Sequence, residues 1–199
     1  MLPVPAERAV IAQKGWYFLL GHAALTKFRS QKRLNPVPTT DLDDAILFFR
    51  QDLEHGFGRW ESWYRLAQTY DAKLEEDITW SADKMNNNQT ELVIWQRYAI
   101  HCYTMALAAA IRTADPTPES RSLLSDLYSD FGMRIYTSSR EPLSMAAFGL
   151  TDFTRHFNKP ESQQLYEGKP FRETNLYFVW NFASYLFRRA AVSKPKNWM

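Results

Sequence analysis

Apolar residues recur three and four positions apart along most of the chain, and no segment alternates cleanly between polar and apolar, so helices are predicted almost throughout. A first helix is expected from about Ala6 to Arg29, with Trp16, Tyr17, Leu20, Ala23, Ala24 and Phe28 on its apolar side. Asn35-Pro36-Val37-Pro38 closes the basic loop that follows, because proline lacks the amide donor a helix needs. Thr40, with Asp43 three residues on, resembles a capping box, and a second helix is expected from about Asp41 to His55 with Gly56 as a left-handed stop. A third helix starts near Arg59 and keeps its period through Leu74, Ile78, Ala82 and Met85 until Asn86-Asn87-Asn88 breaks it. A fourth spans about Thr90 to Arg112. Thr117-Pro118-Glu119 opens a fifth, with Leu123, Leu124, Leu127, Tyr128 and Phe131 on one side, and Glu141-Pro142 opens a sixth that runs through Phe148 and Phe153. Asn158 to Lys169 is polar, flanked by prolines, and reads as a loop. The last helix, Glu173 to Val192, is apolar nearly all round and must be buried somewhere.

Within this helical pattern one stretch is distinctive. Trp63 is followed by Leu66 at +3, Ala67 at +4 and Tyr70 at +7, and a partner stretch has Ala99, Tyr103 and Ala106. Small residues let two helices approach closely while aromatics fill the gaps beside them, which is the pattern of a tetratricopeptide (TPR) hairpin. Tyr17, Leu20, Gly21 and Ala24, then Ala45 and Phe49, give a second copy, although Asp52 stands where a small residue is expected. Ala45 to Trp63 is 18 residues, the step such an array takes to its next hairpin. Tyr70 to Ala99 is 29 residues, so each arm of that hairpin gains about 10 residues, or about 15 Å if helical, and is expected to project. The expected fold is therefore all-α: TPR-like hairpins over residues 1–115, a solenoid segment with one extended hairpin, and less regular helices over 116–199 packing on it as one continuous domain.

Composition narrows the function classes. The 45% hydrophobic content over 199 residues supports a sizeable core, and a net charge of +2 argues against direct DNA binding. Cys102 is the single cysteine, so no disulfide framework exists and a reducing compartment fits. No apolar run is long enough to span a membrane, and Met1 to Pro5 does not open a secretory signal. The C-terminal Lys194 to Met199 reads as a linker, as in a segment of a longer chain. There is no phosphate loop, no metal-ligand spacing among His22, His55, His101, His156 and Cys102, and His101 and Cys102 point about 100° apart on a helix. No enzyme and no cofactor is expected.

Binding is the remaining class. Arg29, Lys32 and Arg33 lie in a basic loop suited to phosphate or an acidic partner. Tyr64, Gln68 and Asp71 follow the core positions of their helix and would line the concave groove in which TPR arrays hold peptides. Glu75, Glu76 and Asp77 form an acidic run on the expected arm, suited to a basic partner. For each set the plainer alternative is a solvated surface. Self-association through the apolar last helix is a further alternative.

The strings Lys27-Phe28-Arg29-Ser30-Gln31-Lys32-Arg33, Arg59 to Gln68, Tyr70 to Asp77, Trp80 to Lys84 and Ala99 to Tyr103 carry a family resemblance over roughly residues 15–112. The chain resembles the large TPR-type scaffold subunit of the HIR histone-chaperone complex, the histone transcription regulator three family, whose animal counterpart is the calcineurin-binding protein Cabin. The resemblance implies an internal fragment of a very long, nuclear, non-catalytic helical scaffold. It implies as partners a WD-repeat subunit and a ubinuclein-type subunit, with histones as the cargo of replication-independent nucleosome assembly. A generic TPR adaptor holding a peptide in its groove is the alternative.

Overall fold

The computed structural model describes residues 6–31, 36–56, 58–80, 89–115, 117–149, 154–156, 165–167 and 174–193. Helices α1 (Ala6–Gln13), α2 (Trp16–Ser30), α3 (Thr40–His55), α4 (Trp60–Trp80), α5 (Gln89–Thr113), α6 (Pro118–Ser138) and α7 (Leu176–Ser193) build it, with one 3₁₀ turn at Ala146–Phe148. A short antiparallel ribbon pairs β1 (Thr154–His156) with β2 (Leu165–Glu167). Each long helix packs on the next, α2 on α3, α3 on α4, α4 on α5, α5 on α6 and α6 on α7. The larger apolar core runs from Leu25 and Phe28 through Ala67, Ala99 and Phe131 to Leu186 and Ala190, linking α2 to α7. Fully burying each Leu or Phe of that core contributes about 1.5–3 kcal/mol.

The α4–α5 seam follows from its small residues. Ala67, Ala99 and Ala106 are wholly buried where the two helices meet. Tyr64, Tyr70 and Tyr103 fill the space alongside, and Tyr70 stacks on Trp95 with ring centroids 5.7 Å apart. The α6–α7 seam needs a glycine. A Cβ at Gly132 would lie 2.9 Å from the Phe187 ring. Thr117 caps α6 through its side chain, which accepts from the Ser120 amide, with Pro118 in the first turn.

Several boundaries differ from expectation. The first helix is two, because Gly15 adopts φ 75° and turns the chain between α1 and α2. Arg59 packs against this glycine so closely that a Cβ there would come within 3.0 Å of its guanidinium. Gly56 ends α3 in an extended rather than a left-handed conformation (φ −99°, ψ −163°). No side-chain hydrogen bond caps α3. Over the described residues 141–149 the sixth helix expected from Glu141-Pro142 does not form. Met145 turns left-handed at φ 64°, and only the 3₁₀ turn follows. Leu165–Glu167, inside the expected loop, is a strand. Asp52, where the repeat pattern expects a small residue, is buried and accepts from Ser62 Oγ at 2.5 Å to tie α3 to α4.

The long hairpin exists, with helices of 21 and 25 residues, but its described part is not a free arm. Leu143 closes over Leu74 and Leu92 on one side. Arg97 donates to the carbonyls of Ala146, Ala147 and Gly149. On another side Glu76 accepts from the Val37 amide at 2.8 Å, and Lys73 bridges to Asp43. The asparagine break at 86–88 lies outside the described residues.

Candidate functional site

Tyr64, Gln68 and Asp71 are spaced i, i+4, i+7, which places them on one face of α4. That face meets α6 of the same chain. Asp130 and Arg134, also four apart, point back at it. Tyr64 Oη and Gln68 Nε2 both donate to Asp130 Oδ2, at 2.7 and 2.8 Å. Arg134 Nε donates to Asp71 Oδ1 at 2.7 Å, and Tyr103 Oη donates to Asp71 Oδ2 at 2.7 Å. The Tyr103 ring stacks on Phe131 with centroids 5.5 Å apart. An open peptide groove on this face is therefore not what the chain presents: α6 occupies it.

Burial sets the protonation behaviour of this network. Removal from water holds the Tyr64 and Tyr103 hydroxyls well above the usual phenol value, reinforced by Asp130 at the first and Asp71 at the second. Desolvation also raises the Asp71 carboxyl, against the opposing pull of Arg134.

The expected site residues separate into three groups. Arg29, Gln68, Asp71 and Glu75 line one polar cleft of about 270 Å³ beside Arg134, and Tyr64 belongs to the network beneath it. Glu76 and Asp77 are buried, so the acidic run is not a solvated stripe; only Glu75 of the three is exposed. Glu76 turns inward under the segment before α3, whose Val37 amide donates to it. Lys32 and Arg33 lie outside the described residues, and Lys27 from the same basic loop is paired with Asp41 at 2.7 Å.

Cys102 is buried, and desolvation followed by the Asp71 charge pushes its thiol up to about 12. His101 beside it is exposed and packs edge-on to Trp63 instead. At pH 8 about one thiol in 10⁴ is thiolate at that value. The native chain should thus react with iodoacetamide at least 100-fold more slowly than the urea-unfolded chain, read by intact mass against time. Equal rates would show that Cys102 is not enclosed as described. Among the described residues no group of His, Cys, Asp and Glu is arranged to hold a metal ion, and no helix is long and apolar enough to cross a membrane.

Within this chain α7 is buried along one stripe only. Val179, Ala183, Leu186 and Ala190 form its buried stripe against α6. Its remaining apolar residues are not buried: Tyr177 is 70% exposed, Phe178 58% and Tyr185 52%, with Leu176, Trp180 and Phe182 also open. A helix apolar all round signals burial, but the signal does not say against what.

The model of the HIR3 helical bundle domain matches residues 1–194. The chain belongs to this family. A histone transcription regulator 3 homolog of Aspergillus fumigatus is 75% identical over all 199 residues, and one of Aspergillus oryzae is 76% identical over the same length. One of Chaetomium globosum is 42% identical over 196 residues, covering 94% of this chain. The chain spans about a tenth of the length of each of these relatives. The HIR3 bundle is thus a modest segment of much longer proteins, and its core is continuous from α2 to α7.

Proposed function

We propose that this bundle is a non-catalytic docking segment of a nuclear histone-chaperone scaffold that acts in replication-independent nucleosome assembly. The observation that carries the reading is the outward aromatic face of α7, on a bundle whose Tyr64 to Asp71 face is engaged by Asp130 and Arg134 of α6. Large rings that keep an amphipathic edge in water are the residues most enriched at protein interfaces. The relatives are histone transcription regulator 3 homologs, which supplies the chromatin context. The partners proposed are the WD-repeat and ubinuclein-type subunits of a HIR-type complex, with histones as cargo. The repeat-like seam of α4 and α5 serves here as rigid support. The generic peptide-groove reading is weaker, because Tyr64, Gln68 and Asp71 spend their hydrogen bonds on α6 and Tyr103.

The test is capture of the purified sister subunits by the chain. The wild type should retain at least one of them. Tyr177→Glu with Tyr185→Glu should weaken that capture about 30-fold or more, as loss of central aromatic anchors does, with an unchanged melting temperature. Failure of the wild type to retain either subunit would sink the proposal.

A further inference from the structure

Beside its outward aromatic face, α7 forms a groove with α6 whose chemistry is more specific than its apolarity. Ala183, Ser184 and Ala191 make a floor of small residues. Tyr136, Trp180 and Phe187 stand around it as walls. The groove holds about 520 Å³, within the range of clefts that take the side chains of a short bound segment. Its walls are fixed: Trp180 Nε1 donates to Ser139 Oγ at 2.9 Å, and Phe187 sits against Gly132. Small floor residues between aromatic walls allow another backbone to approach closely.

The charge at this groove has one sign. Arg188 lines it and makes no hydrogen bond or ion pair among the described residues. Arg140 lies at the Tyr136 wall, its guanidinium 5.5 Å from the ring centroid and donating to the Tyr136 hydroxyl. Among the described residues no carboxylate lines the groove, and α7 has none among its 18 residues. An apolar trough edged by guanidinium groups complements a segment that carries small or aliphatic residues on one side and carboxylates beside them. It repels a lysine-rich tail.

We infer that the α6–α7 groove binds an acidic, apolar segment of a partner protein. This deepens the scaffold reading and rests on it only for there being a partner. It also assigns histone tails, which are basic, to some other surface.

The experiment is a selection from a randomised peptide-display library on the 199-residue chain, followed by fluorescence-anisotropy titration of the enriched peptides. Enrichment of sequences combining aliphatic residues with Asp or Glu is expected. Arg188→Glu should weaken those peptides about tenfold. Ser184→Trp, which fills the floor from a half-buried position, should abolish binding while circular dichroism stays helical. Arg112→Glu, on the exposed end of α5, should change nothing. No enrichment, enrichment of basic sequences, or affinity within twofold after Arg188→Glu would each overturn the inference. Peptide selection does not depend on the sister subunits, so it can fail while subunit capture succeeds, and the reverse.

Discussion

Arg134→Met is expected to destabilise the bundle by about 3 kcal/mol, lowering the melting temperature by roughly 6–12 °C. The change removes the guanidinium that faces Asp71 at 2.7 Å, in a pair whose side chains are only 11% and 21% exposed. Methionine keeps the length and apolar stem, so the loss reflects the carboxylate left behind. Breaking one partner of a buried pair costs about 3–5 kcal/mol, and the residual solvent access of Asp71 puts this case at the low end. The double variant Asp71→Asn with Arg134→Met should recover most of the loss, since the amide oxygen still accepts from Tyr103 and no charge is stranded. Urea denaturation of the wild type, the two single variants and the double variant reads all four corners. A loss under 0.5 kcal/mol for Arg134→Met would mean that water screens the pair, and that α6 is held by the bonds to Asp130 and by Phe131 with its apolar neighbours.

Alkali should unfold the chain well before simple charge repulsion would. Burial raises the hydroxyls of Tyr64 and Tyr103 well above the ordinary phenol value, and Tyr70 up to about 12. Their folded values exceed the unfolded value of about 10, so their contribution to stability is complete below pH 10 and is lost as pH rises toward the folded values. In that window the unfolded chain has released protons that the native chain still holds. Each such tyrosine costs about 1.4 kcal/mol per pH unit, so three give about 4 kcal/mol per unit. A domain stability of about 5–10 kcal/mol is then exhausted between roughly pH 11 and 13. The tyrosinate absorbance of Tyr64, Tyr70 and Tyr103 should rise only together with loss of helical ellipticity. All ten tyrosines titrating in one phase with the helices intact would contradict the buried assignment.

Much of the helical layout was legible because period and punctuation agree. Ala67, Ala99 and Ala106 announce a close seam, and Thr117-Pro118 a helix start, from local chemistry that the fold leaves intact. Misreadings arise where two local signals conflict or where a partner lies far along the chain. The apolar period runs straight through Lys14 and Gly15, and only the packing of Arg59 explains the break. Glu76 looks like a solvated charge until the segment around Val37 is laid over it. Tyr64, Gln68 and Asp71 were readable as one face, yet their partners sit some 60 residues away on α6. The Asp130 and Arg134 pair, four apart on a helix, was the one available hint of it. Gly132 gave a second, weaker signal, a glycine inside a helix where close approach is the usual reason.

The position of α6 against α4 has a consequence for competition. The connector between α5 and α6 covers only residues 114–117, so α6 is a tethered ligand with a local concentration in the millimolar range. A free segment of equal intrinsic affinity for the Tyr64 to Asp71 face would need a comparable millimolar concentration to displace half of it. At cellular protein concentrations the tether wins. Cutting that connector would turn the same contacts into an ordinary bimolecular equilibrium, and the face would open to whatever else could bind it.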